Sequence, residues 1–138
     1  MIEDKIVVSD TNIFLDLLSI SLINDFFSLP CKICTTDFVI NEIIKPDEFK
    51  KISMLIKTIK LEVVSFEFDE LAKINSIQDA SFTDCSVWYY AKKTNSRLLT
   101  GDGKLRKVAE KDNVKVSGIL YIFDNLIEYK IMEKGRVI

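Results

Sequence analysis

The sequence predicts an α/β protein, with short buried strands alternating with amphipathic helices on a mainly parallel sheet. Three observations carry that reading. Apolar runs of strand length, such as Ile6-Val7-Val8 and Arg97-Leu98-Leu99, give way at once to helical spacing. Strands that alternate with helices along the chain build βα units. Two of the runs also end in the same way, strand then acid then helix, once at Asp10 and once at Asp102.

Taken in order, the first strand ends at Asp10, and Ile13, Phe14, Leu17 and Leu18 mark the helix behind it. A second helix over roughly 22–29 ends at Pro30. A short strand covers about 32–35. Thr35, Thr36 and Asp37 can cap a helix carrying Val39, Ile40, Ile43 and Ile44, with Glu42 among them. Pro46 opens another helix to about Thr58, with Phe49, Ile52, Leu55 and Ile56 on one face. Residues 61–66 read as a third strand, and 69–77 as a helix turning Leu71, Ala72 and Ile74 inward. Ser81 to Asp84 opens a helix through Val87, Trp88 and Ala91, with Trp88 in the core. Residues 97–100 and 114–116 form the remaining strands. Between them lies a helix with Leu105, Val108 and Ala109. The last helix carries Leu120, Ile122, Phe123, Leu126 and Ile127. Parallel crossovers are right-handed, so the strands' carboxyl ends share one edge. The chain of 138 residues is expected to be a single domain, 1–138, with 131–138 as a tail of no clear element.

Composition narrows the chemistry. Histidine is absent, which removes Ser-His-Asp and Cys-His catalysis, imidazole bases and His-ligated zinc. Acid–base work falls to carboxylates, Lys, Tyr, Cys or metal-bound water. The net charge of −2 is unlike that of a protein that coats nucleic acid by charge alone, but a bound cation can supply local positive charge. Cys31-Lys32-Ile33-Cys34 has C-x-x-C spacing, but on a strand these thiols diverge, and only Cys85 remains for a metal site. They read as small core residues. No uninterrupted apolar tract is long enough to span a bilayer, and residues 1–5 lack the features of a signal peptide. A cytoplasmic protein with no membrane contact is expected.

Each acid has an ordinary reading when taken alone. Asp10 can cap its helix, and Glu42 can lie on an exposed helix face. Ser81-x-x-Asp84 fits a capping box with Asp in the acid's place. Asp102 lies between Gly101 and Gly103, which allow a tight turn. The repeat of Asp10 at Asp102 changes the weighing, because two neighbouring strands would present acids at one edge. Four converging carboxylates repel one another, and a divalent cation resolves the conflict. Mg²⁺ or Mn²⁺ takes such hard oxygen ligands together with water and substrate phosphates. Asn12 is placed to hold a carboxylate or a ligand water. Lys104, Arg106 and Lys107 are either phosphate contacts or a solvated helix face. Asp79 and Asp124 read as surface acids.

Val7-Val8-Ser9-Asp10-Thr11-Asn12-Ile13-Phe14, Asn41-Glu42-Ile43, Asp84-Cys85-Ser86-Val87 and Thr100-Gly101-Asp102 before Leu105 together resemble a PIN domain. The resemblance runs through nearly the whole chain. It implies a Rossmann-like three-layer α/β/α fold with a five-stranded parallel sheet. It also implies a Mg²⁺- or Mn²⁺-dependent ribonuclease acting on single-stranded RNA. The family's four acids fall on Asp10, Glu42, Asp84 and Asp102, and its supporting polar positions on Asn12 and Thr100. Many small members are toxins paired with an antitoxin protein, and these often form homodimers. Two rivals stand beside this reading. One is a PIN-like RNA-binding or scaffold module without turnover. The other is a phosphatase similar to the haloacid dehalogenases, which would want acids where Asn12, Arg106 and Lys107 stand.

Overall fold

The computed structural model describes residues 5–77, 80–129 and 131. Asp79 and most of the expected tail lie outside that range. Among the described residues, five strands form one parallel sheet: β1 (Ile6–Ser9), β2 (Lys32–Thr36), β3 (Leu61–Val64), β4 (Arg97–Leu99) and β5 (Val116–Ser117). Their order is β3-β2-β1-β4-β5. The chain builds outward from β1 to β3, returns to place β4 on the other side of β1, and ends at β5. The loops leaving β1 and β4 therefore diverge, and ligand crevices of open α/β sheets form at such a switch point.

The helices are α1 (Thr11–Ser19), α2 (Ile23–Phe26), α3 (Asp37–Glu42), α4 (Pro46–Lys57), α5 (Phe68–Ser76), α6 (Phe82–Lys93), α7 (Gly103–Lys111) and α8 (Ile119–Glu128). Right-handed crossovers put those following β1 and β2 on one face of the sheet and those preceding β4 and β5 on the other. In keeping with this, α8 returns to pack on α2, while α5 packs on α6. The sheet is covered on both sides, which is why its strands read as continuous apolar runs. Val7, Val8, Ile33, Leu98 and Leu99 are buried, with Ile13, Phe14 and Leu17 of α1 over them. Among the described residues no helix is long and apolar enough to cross a membrane.

The structure corrects several details of the sequence reading. Phe66 is not in a strand; its ring stacks on Phe38 and meets Tyr89 and Tyr90 edge-on. β5 starts at Val116 rather than Val114, because the amide of Val114 closes the end of α7 on the Ala109 carbonyl. α3 ends at Glu42, so Ile43 takes the buried place and Ile44 is left exposed. Phe49, Ala72 and Leu120 were expected inside and are exposed instead. Trp88 is only half-buried, and its Nε1 donates to the Asp112 carboxylate at 2.9 Å. Cys34 is buried and its thiol is pushed up to about 11 by that burial; Cys31 precedes the strand, and no disulfide joins the cysteines. An un-ionised thiol is a poor nucleophile, which suits a core role.

One local strain yields a stability prediction. Ile59 closes α4 with φ of 61°, and its side chain is 90% exposed. The turn around it is formed by the Ile59 amide on the Ile56 carbonyl and the Lys60 amide on the Leu55 carbonyl. A β-branched residue in the left-handed region costs about 1–2 kcal/mol, and glycine relieves it. Ile59→Gly should stabilise the fold by roughly 1 kcal/mol and raise the thermal midpoint by roughly 3 °C. A lower midpoint in calorimetry would contradict that account.

Candidate active site

The site lies at the carboxyl edge of β1 and β4. Asp10 follows β1 directly and is 4% exposed. Its backbone amide donates to the Leu99 carbonyl at 3.1 Å, which prolongs the β1–β4 pairing to the acid itself. One carboxylate oxygen, Oδ1, accepts from the Ile13 amide at 3.1 Å, capping α1. The other, Oδ2, accepts from the Thr100 hydroxyl. Burial pushes the Asp10 carboxyl up to about 6, and the charges of Asp84 and Asp102 push the same way. The bonds from Thr100 and Ile13 oppose the shift without cancelling it.

Thr100 joins the two acids that the sequence repeat placed in parallel. While its hydroxyl donates to Asp10, its oxygen accepts from the Asp102 amide at 3.1 Å. Asp102 in turn caps α7, with Oδ1 accepting from Lys104 at 2.8 Å and Leu105 at 3.3 Å. Neither flanking glycine has a positive φ, and a side chain on Gly101 or Gly103 would meet nothing within 4 Å. The turn therefore does not require glycine, contrary to expectation. The glycines leave bare backbone beside the acid instead.

Glu42 and Asp84 come from the helices next to this edge. Glu42 is exposed at the end of α3, and its Oε1 accepts from the Thr11 hydroxyl at 2.7 Å, which places it beside the residue after Asp10. Asp84 lies in the first turn of α6, where the Ser81 hydroxyl accepts from its amide at 3.1 Å. Its carboxyl is raised by burial and by the charges of Asp102 and Glu42, against a lowering bond from Ser81. Two contacts fix α3 against α6. The Thr36 and Ser86 hydroxyls meet at 2.8 Å, and the Phe38 and Phe82 rings meet edge-on at 4.8 Å between centroids. Asp84, Asp102 and Lys104 line one open depression of about 380 Å³.

The remaining polar positions divide. Asn12 is exposed, and the described bonds to Asp10 come from Thr100 and Ile13 instead. Lys104 borders the acids, whereas Arg106 donates to the Val116 carbonyl at 3.3 Å and lies 3.6 Å from Glu110. Lys107 is simply exposed. Sequence reasoning missed Thr11; a hydroxyl directly after a strand-end acid was the available signal.

A family profile described as "PIN domain" matches residues 6–138. The chain belongs to the PIN domain family. PIN domains are in general nucleases, and PIN nucleases in general use divalent metals. Solved structures share the fold at low identity. A PilT N-terminus domain protein, SSO1118 from Sulfolobus solfataricus, aligns with a TM-score of 0.65 at 15% identity, over 89% of this chain and 94% of that one. PAE2754 from Pyrobaculum aerophilum gives 0.61 at 16%, over 88% and 96%. VapBC2 from Rickettsia felis, bound to a DNA fragment from its promoter, gives 0.51 at 18%, over 82% and 98%. No curated protein matches the sequence significantly.

The donor set of this PIN domain is wholly carboxylate oxygen, which suits a hard divalent cation. Among the described residues, no three Cys, Asp or Glu side chains stand close enough to enclose a metal ion. A closed protein cage is therefore not what these residues form. A hydrated ion touching one or two carboxylates directly fits them better, and Mg²⁺ is usually held in that way.

Proposed function

We propose that this PIN domain is a divalent-metal-dependent endoribonuclease that hydrolyses phosphodiester bonds of single-stranded RNA. The observation that carries the reading is Asp10, a buried carboxylate whose ionisation is opposed by burial and by two neighbouring acids. A cation beside such a group favours its anion and offsets that cost. Mg²⁺ or Mn²⁺ would sit among Asp10, Asp84 and Asp102, one or two of them touching it directly and the rest through water, with Glu42 on the Thr11 side. The bound ion supplies Lewis acidity and lowers the pKa of water. Thr100 and the Ile13 amide hold the Asp10 carboxylate in one orientation. Asp84, whose carboxyl is raised by burial, is placed to take a proton from an attacking water at an Oδ atom. Lys104 orients a substrate phosphate beside Asp102.

The likeness to VapBC2 supports a working partnership with an antitoxin-type protein, and exposed Ile44 and Phe68 are compatible with protein contacts, including a homodimer. A cytoplasmic setting follows from that partnership and from an RNA substrate. The second reading is an RNA-binding module of the same fold without turnover.

The two readings separate when purified protein is incubated with single-stranded RNA in Mn²⁺, Mg²⁺ or EDTA, beside Asp10→Asn. Cleavage should need metal and should fall by at least about 100-fold in the variant. Cleavage indifferent to EDTA or to Asp10→Asn would sink the proposed site. Binding without cleavage of any RNA would favour the module.

A further inference from the structure

Beside the acids, on the far side of Asp102, lies a larger groove of about 520 Å³. Its floor is the backbone from Thr100 to Gly103, and its walls are Arg106 of α7 and the first turns of α8. Asp102 lines both this groove and the depression shared with Asp84 and Lys104, so the two adjoin at that residue. Its volume falls in the roughly 300–1,000 Å³ range of small-molecule sites. Four features give it a chemical character. Gly101 and Gly103 leave the floor without side chains, so a ligand can approach the backbone closely. Arg106 is held by the Val116 carbonyl and near Glu110, and a guanidinium so fixed still has donors to offer. Leu120 is 71% exposed at the groove although helical spacing assigns it to the core. Tyr121 adds an aromatic ring, with the Arg97 guanidinium 4.6 Å from its centroid.

We propose that this groove is the subsite for the nucleotide next to the scissile phosphate, with its sugar-phosphate over Gly101–Gly103 near Arg106 and its base against Leu120 and Tyr121. The inference rests on the ribonuclease reading above and adds where the strand runs. Bare backbone beside a cation suits a phosphate, and an apolar and aromatic wall suits a base face. A single strand that passes over Asp102 runs from the depression beside the acids into the groove, because that residue lines both. Asp124 also lines the groove. A carboxylate accepts hydrogen bonds but does not donate them; cytosine and adenine offer it an exocyclic amino group, whereas uracil offers only N3–H, flanked by two carbonyl oxygens that repel it.

The test measures anisotropy of fluorescein-labelled C₆ and U₆ oligoribonucleotides on the full chain, with Ca²⁺ replacing Mg²⁺ and strand integrity checked on gels. C₆ should bind roughly five- to tenfold more tightly than U₆. Leu120→Ser, an exposed change that leaves the core intact, should weaken both by roughly fivefold or more. Asp124→Asn should narrow the difference between C₆ and U₆, since an amide both donates and accepts. If both variants bind both strands as the unmodified chain does, the groove belongs to something else, such as a protein partner, and the proposal is overturned. Metal-dependent, Asp10-dependent cleavage in the same preparation would still uphold the ribonuclease reading. Failure to bind or cut any RNA would overturn both.

Discussion

Asp10→Asn should make the metal-free protein more stable at neutral pH while removing its proposed activity. The sign follows from the raised carboxyl. In the unfolded chain Asp10 titrates near 3.8, and in the fold near 6. The folded state therefore favours the protonated form. That contribution is complete below about pH 4 and is lost as pH rises through 6, a loss of about 3 kcal/mol by neutral pH. An amide resembles the neutral carboxyl: its oxygen can accept from the Ile13 amide and its NH₂ can face the Thr100 oxygen. In EDTA at pH 7.5, the variant's thermal midpoint should rise by several degrees. The unmodified chain should gain stability between pH 7.5 and pH 5, and the variant should gain less. Adding Mn²⁺ at pH 7.5 should raise the midpoint of the unmodified chain and leave that of the variant nearly unchanged. A variant less stable than the parent at pH 7.5 in EDTA would show that Asp10 serves the fold more than the site.

Thr100→Val should have the largest destabilising effect of any single change at the site. The swap keeps the shape and removes the hydroxyl. Oδ2 of buried Asp10 then loses its donor, and the Asp102 amide loses its acceptor. Leaving such groups unsatisfied costs about 2–4 kcal/mol, and the charged partner accounts for most of it. Urea unfolding at pH 7.5 should show a lower midpoint with an unchanged slope. Since the Thr100 bond lowers the Asp10 carboxyl, its loss should move the stability–pH transition upward. Thr100→Ser keeps the hydroxyl and should restore most of both effects. If Val and Ser behaved alike, the hydroxyl would be irrelevant and only packing would matter.

The elements of the fold were legible in the sequence largely because the ends of β1, β2 and β4 are punctuated by capping side chains. Thr36 ends β2 and caps α3, Asp10 and Asp102 follow β1 and β4 and cap α1 and α7, and Ser81 caps α6. Periodicity failed where a helix has no layer above it. Leu120 and Phe49 keep helical spacing but face outward, and spacing along one helix cannot report what lies opposite. For the site, the strand-end acids could be read because one strand–acid–helix pattern occurs twice. Glu42 and Asp84 could not be oriented from sequence, since α3 is fixed against α6 by Thr36–Ser86 and Phe38–Phe82, pairs more than forty residues apart. The Thr11–Glu42 bond was invisible for the same reason.

The Thr100–Asp10 bond spans a sequence separation of 90 residues. Long-range contacts form late, because loop closure precedes any gain from them. During synthesis from the N-terminus, β1 can pair with β2 and β3 well before β4 exists. The carboxylate at position 10 stays without its hydroxyl partner until roughly three-quarters of the chain is made; Asp102 arrives with the same segment, and the groove is walled only when α8 follows. A nascent chain thus carries an incomplete cleft while it is still tethered to a ribosome dense with RNA.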